Sequence, residues 1–68
     1  MRALITGIKG FTGRYVAAEL ERHGWEVWGL GQHPEPADDR YHQVDLGDTD
    51  RLREVVRELR PKAVVHLA

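Results

Sequence analysis

The sequence has no cysteine. Disulfides and thiolate-held metals are therefore excluded, and a chain this short has neither as a staple. An excess of one charge is missing too: ten basic residues stand against eleven acidic ones, for a net charge of −1. That balance leaves no electrostatic footprint for nucleic acid or for an anionic membrane surface. No apolar run approaches the roughly 20 residues of a membrane span. The stretch Met1-Arg2-Ala3-Leu4-Ile5-Thr6-Gly7 is also too short in apolar residues for a secretory signal. The expectation is a cytoplasmic protein with no nucleic-acid or membrane partner.

Apolar residues are present in moderation. Leu, Ile, Val and Phe make up 17 of 68 residues, a quarter of the chain and above the roughly 20% floor associated with disorder. The chain reads as packed protein. Its length is about half that of an ordinary domain of roughly 100–200 residues. A free-standing fold of this size buries only about 60% of its unfolded surface, so a larger context is expected.

Ala3-Leu4-Ile5 is a short apolar run that ends at Thr6-Gly7. Its length and the following glycine predict a buried strand. From about Thr12 to His23 the pattern is helical, with Val16, Ala17 and Leu20 on one face and Arg14, Glu19, Glu21 and Arg22 on the other. Gly24 is a natural stop. Trp25 to Leu30 is rich in aromatic and β-branched residues and predicts a second strand. Gly31 to Arg40 carries two prolines and is a loop, and Tyr41 to Leu46 is a short third strand.

Leu52, Val55, Val56 and Leu59 then form one helical stripe, with Asp48 as N-cap and Arg60-Pro61 as the close. Lys62 to Ala68, around Ala63-Val64-Val65, is a fourth strand. The order β-α-β-β-α-β predicts an α/β fold, the N-terminal half of a Rossmann-type doubly wound parallel sheet. About ten residues join the second and third strands, fewer than the dozen or more usual for a parallel crossover, so an antiparallel hairpin stays open there.

The motif that carries chemistry is Gly7-Ile8-Lys9-Gly10-Phe11-Thr12-Gly13, between a strand and a helix. Gly7 permits a tight exit from the strand, Gly10 lets a pyrophosphate approach the backbone, and Gly13 lets the helix pack closely. The N–H groups from about Phe11 to Gly13 are free to meet phosphate, and the helix dipole adds to the attraction. No Gly-Lys-Ser/Thr follows, so this is not a P-loop. A plain strand-to-helix turn is the alternative. Asp45-Leu46 ends the third strand, where a carboxylate would accept from an adenine amino group; a turn aspartate before Gly47 is the alternative. Val64-Val65-His66-Leu67-Ala68 belongs to a strand expected beside the first, at the topological switch point.

Thr6-Gly7-x-x-Gly10-Phe11-x-Gly13, Asp45-Leu46 and Val65-His66-Leu67-Ala68 together resemble the extended short-chain dehydrogenase/reductases. Within them the chain resembles the NAD-dependent epimerase/dehydratase group, of the GDP-mannose 4,6-dehydratase and 4-keto-6-deoxyhexose reductase type. The resemblance runs from the first strand to the fourth. It implies a nucleotide-sugar epimerase, dehydratase or reductase, with hydride transfer at a sugar carbon and a full-length homodimer. The sugar nucleotide would be held mainly by a C-terminal domain. It also implies a catalytic Tyr-x-x-x-Lys pair. Tyr15 and Tyr41 are followed four residues later by Glu19 and Asp45, so no catalytic residue is expected in these residues. The chain is expected to be the N-terminal part of a longer enzyme. A second class, a non-catalytic dinucleotide-binding regulator of the same superfamily, is also open.

The resemblance assigns cofactor-binding roles alone. Gly7, Gly10, Phe11, Thr12 and Gly13 would hold pyrophosphate. Gly31, Gln32 and His33 would face the adenosine ribose, Asp45 and Leu46 the adenine, and Leu67 and Ala68 the other ribose. No metal site is expected, because His23, His33, His42 and His66 lack ligand spacing. Trp25 and Trp28 are expected to pack the sheet. NAD-selective Rossmann folds carry an acid about 20 residues beyond the glycine loop. Here the position is Gly31, and the first carboxylate after it is Glu35. With Lys9 inside the loop, NADP is expected to bind at least as well as NAD.

Overall fold

The computed structural model describes residues 1–35 and 38–67. The elements are β1 (Arg2–Thr6), α1 (Phe11–Arg22), β2 (Glu26–Gly31), β3 (Tyr41–Gln43), α2 (Thr49–Leu59) and β4 (Ala63–His66). The four strands form one sheet in the order β3-β2-β1-β4, and every pairing is parallel. The expected α/β Rossmann half and the place of the fourth strand beside the first are both observed.

The central strand explains the layering. Ala3, Leu4, Ile5 and Thr6 are all buried, as a parallel strand covered on both faces requires. Successive side chains point to opposite faces, so Leu4 and Ile5 anchor different cores. Leu4 packs with Leu30, Val44, Val55 and Leu59, which places α2 on that face. Ile5 packs with Ala17 and Val27, with Val16, Leu20, Trp25 and Val65 around them, which places α1 on the other. Both tryptophans pack against the sheet as expected, Trp25 on the α1 side and Trp28 on the α2 side. The α2 stripe is uneven: Val55 and Leu59 are buried, while Val56 is exposed at its margin.

Chain ends of the helices follow local chemistry. The Asp48 carboxylate accepts from the Arg51 amide at 3.1 Å and caps α2 as predicted. Pro61 disfavours right-handed helical geometry at the residue before it. Arg60 leaves the helix in the left-handed conformation common at helix ends, with φ 48°, while its N–H still reaches the Val56 carbonyl. Gly24, with φ 85°, ends the first helix as expected.

Two expectations are corrected. The third strand covers Tyr41–Gln43 rather than Tyr41 to Leu46. Its last partner, Gly31, is also the last residue of β2, so Val44 makes one further bond, to the Gly31 carbonyl, and Asp45 enters a turn. The antiparallel alternative is replaced by a parallel pair in the register Gly29↔Tyr41, Leu30↔His42, Gly31↔Gln43. The return path is short because β3 starts only two residues behind the end of β2, so no helix is needed to cross back. Pro36 and Ala37 of the predicted loop, and Ala68 of the predicted fourth strand, lie outside the described residues.

At the end of the sheet opposite the glycine loop, Arg2 ties three elements together. Its guanidinium donates to Glu26 on β2 and to the Leu59 carbonyl at the end of α2, and it lies over the Trp28 ring. Glu26 accepts from the Trp28 indole as well. The indole first, and then Arg2, hold the Glu26 carboxyl below the ordinary carboxylate range. The folded state therefore binds this proton less readily than the unfolded chain. Its stabilisation is present above about pH 4.5 and is lost as pH falls through the folded value. Glu26→Gln is expected to lower stability at neutral pH, with the gap from wild type closing in urea melts taken down to about pH 3. Asp48→Ala is expected to cost about 1 kcal/mol at neutral pH, read by the same melts.

Candidate functional site

The backbone leaves β1 through Gly7, whose φ of 75° lies in the left-handed region that favours glycine. The chain then turns back, with the Gly10 amide bonded to the Gly7 carbonyl at 3.2 Å. The first bond of α1 runs from the Arg14 amide to the Gly10 carbonyl. Phe11, Thr12 and Gly13 precede it, so their N–H groups have no acceptor in the helix. Gly10 supplies no side-chain cap, and no acid sits in the first turn. The contrast with α2 is direct: there Asp48 caps the helix and Asp50 stands in the first turn.

The other two glycines differ in their demands. A Cβ on Gly13 would overlap the Gly7 carbonyl oxygen and come within 2.7 Å of the Ile8 Cα. Its necessity lies in close contact with the loop backbone, and so with the exit of the strand, rather than with the body of the sheet. A Cβ on Gly10 would meet only the Gly7 oxygen, at an ordinary 3.5 Å. Among the described residues nothing forbids a side chain at Gly10, and the space beside it is open.

A cleft of about 170 Å³ opens next to this loop, lined by Gly7, Ile8, Lys9, Gly10, Leu30, Gly31, Gln32, His33, Tyr41 and Leu46. Ligand pockets usually exceed roughly 300 Å³, so the cleft suits one moiety of a larger ligand. Its floor is apolar, from Ile8, Leu30 and Leu46. The sheet brings together at this end the glycine loop, the last residues of β2 and the residue after Asp45, which lie far apart in sequence.

Gly7, Gly10, Gly31, Gln32, His33 and Leu46, expected from the sequence, all line the cleft. Phe11 and Thr12 begin α1 and are exposed, and Gly13 is buried beneath them. Asp45 lies outside the lining. One of its carboxylate oxygens accepts from the Gly47 amide at 2.9 Å, which is the turn geometry left open from the sequence. Leu67 donates its amide to the Thr6 carbonyl and the Thr6 hydroxyl, at the end of β4. The same hydroxyl is 2.6 Å from His66 Nδ1. Leu67 does not line the cleft, and Ala68 lies outside the described residues. Among the described residues no three His, Asp or Glu side chains stand where they could share a metal.

Ile8, Leu30 and Tyr41 were not singled out from the sequence. A signal for Tyr41 was present: Gly29 and Gly31 alternate on β2, and both leave room for one ring. A Cβ on Gly29 would lie 2.7 Å from Ile8 Cγ2 and 3.1 Å from Tyr41 Cδ1, and one on Gly31 would lie 2.5 Å from the Tyr41 hydroxyl oxygen. Burial first, then the carboxylates of Glu35 and Asp38, push the Tyr41 hydroxyl above the ordinary phenol value. It is a neutral phenol at physiological pH, unsuited to act as a base.

Lys9 is engaged. Its ammonium lies 3.8 Å from Glu35, 3.9 Å from Asp38 and 5.5 Å from the centre of the Tyr41 ring. Arg14, another cation near the loop, lines a separate cleft with Lys9, Phe11 and Tyr15.

Open space at Gly10, uncapped amides and an adjoining apolar cleft lie together at this end of the sheet, and known proteins share the sequence pattern and the fold. The pattern of the NAD dependent epimerase/dehydratase family matches residues 3–68. The methionine adenosyltransferase 2 subunit beta of Bos taurus is 33% identical over 67 residues, covering 98% of this chain and 20% of that protein. The crystal structure of a candidate epimerase from Burkholderia cenocepacia has a TM-score of 0.86 at 44% identity, covering 98% of this chain and 24% of that one. The UDP-glucose 4-epimerase of Thermus thermophilus, solved as a complex with NAD, has a TM-score of 0.84 at 32% identity, covering 100% of this chain and 24% of that one. The chain thus spans about a fifth to a quarter of the length of the proteins it matches. On the match to nearly its whole length, the chain belongs to the NAD dependent epimerase/dehydratase family.

Proposed function

We propose that these residues form the dinucleotide-binding part of a nucleotide-sugar epimerase, dehydratase or reductase that uses NAD or NADP. The observation that carries this reading is the uncapped start of α1, with no acid in its first turn, beside an apolar cleft at the ends of β1 and β2. A helix start with free N–H groups attracts phosphate. The Thermus relative, a UDP-glucose 4-epimerase solved with NAD, supports both the cofactor and the class of sugar substrate.

In this reading Gly7, Gly10, Phe11, Thr12 and Gly13 hold the pyrophosphate through backbone amides. Gly31, Gln32 and His33 border the adenosine ribose. Leu46 covers the adenine together with Ile8 and Leu30, and Asp45 offers its remaining carboxylate oxygen at the rim. Leu67 and Ala68 flank the second ribose. A bound nicotinamide supplies a reversible hydride acceptor for a sugar carbon. The residues of this chain bind and orient; the proton-transfer residues belong to the remainder of the longer protein.

The Bos taurus relative favours keeping a second reading, because its name describes a subunit of an adenosyltransferase. A non-catalytic dinucleotide-binding protein would have the same glycine loop. A coding sequence that continues past Ala68 to a Tyr-x-x-x-Lys pair supports the enzyme; one that continues without the pair supports the regulator.

The two inner glycines separate binding from folding. In the full-length protein, Gly10→Val is expected to weaken dinucleotide binding at least about tenfold, or 1.4 kcal/mol, with a cost to stability of about 1 kcal/mol from the poorer N-cap. Gly13→Ala is expected to destabilise the fold itself by about 1–3 kcal/mol, because its Cβ meets backbone atoms that cannot rotate away. Fluorescence titration reads the first and thermal melting the second. Unchanged cofactor affinity in Gly10→Val would remove the phosphate assignment.

A further inference from the structure

Lys9 stands in the phosphate loop, and Glu35 and Asp38 stand in the connection between β2 and β3. The two carboxylates lie within 4 Å of the Lys9 ammonium, with Tyr41 beneath it, and of these four residues Lys9 and Tyr41 line the cleft. Each side chain is about two-fifths exposed, and a single pair of this kind contributes little to stability. Their position matters more than their strength. They stand in the connection that follows Gly31, the position where an acid would select against a phosphate on the adenosine ribose.

Gly31 cannot take that role, since a Cβ there would run into the Tyr41 hydroxyl. The ring that excludes a side chain from position 31 also supports Lys9. One ammonium between two carboxylates leaves a formal charge of −1 around Lys9, which lines the cleft. A ribose phosphate carries about −1.5 to −2 at neutral pH, so it meets a net negative cluster in place of a lone cation.

We propose that Glu35 and Asp38 are specificity-determining residues of the dinucleotide site. By occupying Lys9 they supply, from the neighbouring loop, the discrimination against a ribose phosphate that Gly31 lacks, and the protein prefers NAD to NADP. This reverses the expectation drawn from Lys9 and Gly31 in the sequence, where the ammonium had no partner. The inference rests on the dinucleotide reading above.

The test is a set of paired NAD and NADP titrations of the full-length protein by fluorescence or calorimetry. The variants are wild type, Glu35→Gln/Asp38→Asn, and the same double variant carrying Lys9→Met. The wild type is expected to bind NAD more tightly than NADP. The double variant is expected to move the ratio toward NADP by about tenfold, and Lys9→Met is expected to cancel that movement. The single variants Glu35→Gln and Asp38→Asn should each move the ratio part of the way. A wild type that binds NADP as well as NAD would overturn the inference. A double variant whose ratio stays within about twofold of wild type would do the same. In both cases retained NAD binding leaves the dinucleotide reading standing. Absence of binding by either dinucleotide to the wild type would overturn both.

Discussion

At Gly13 the start of α1 lies against the backbone that leaves β1, so close that a single added carbon would overlap the Gly7 carbonyl. Much of the site follows from that contact. It holds the helix start at the exit of the central strand, which is buried on both faces. It requires the chain to turn sharply between them, and Gly7 takes a left-handed conformation to do so. The turn in turn exposes Gly10 and presents the amides of Phe11, Thr12 and Gly13 without acceptors. A larger residue at position 13 would move the helix outward and with it the free amides at its start.

The sheet supplies the rest by adjacency. Parallel pairing puts the C-terminal ends of β1, β2 and β4 at one edge of the molecule. Leu30 and Gly31 reach this edge from β2, and His66 from β4. The short β3 adds Tyr41 at the register position of Gly29. Two glycines on β2 accept one aromatic ring, and that ring accepts one lysine. The cleft is therefore a product of residues that have no side chain as much as of residues that do. The opposite end carries the Arg2–Glu26–Trp28 group, which joins β1, β2 and the end of α2 and leaves the functional edge to be shaped by other constraints.

Electrostatics distinguish the two helix starts. The first turn of α2 carries carboxylates, which satisfy its own dipole and amides. The first turn of α1 carries none, so its positive end remains available to an outside anion. Side by side in one small fold, they show a helix start serving stability in one case and suited to binding in the other. Lys9 adds a third arrangement, a cation in the glycine loop whose charge is met by the loop after β2.

The sequence by itself determined the order of strands and helices, the capped start of α2, the stop at Gly24 and the place of the glycine loop between β1 and α1, because each rests on local periodicity, a cap or a turn. Of the six cleft residues expected from the sequence, five belong to the glycine loop and to the end of β2 with the two residues after it, whose places follow from strand order, and Leu46 follows the turn at Asp45. What only the tertiary structure decided depends on pairs distant along the chain. The register of β3, and so its length, depends on where β2 ends. The turn at Asp45 follows from that length. The partners of Lys9 lie more than 25 residues away, across a loop whose path no local pattern specifies. A charge read alone in a sequence has a sign and no neighbours, and the neighbours set what it can bind.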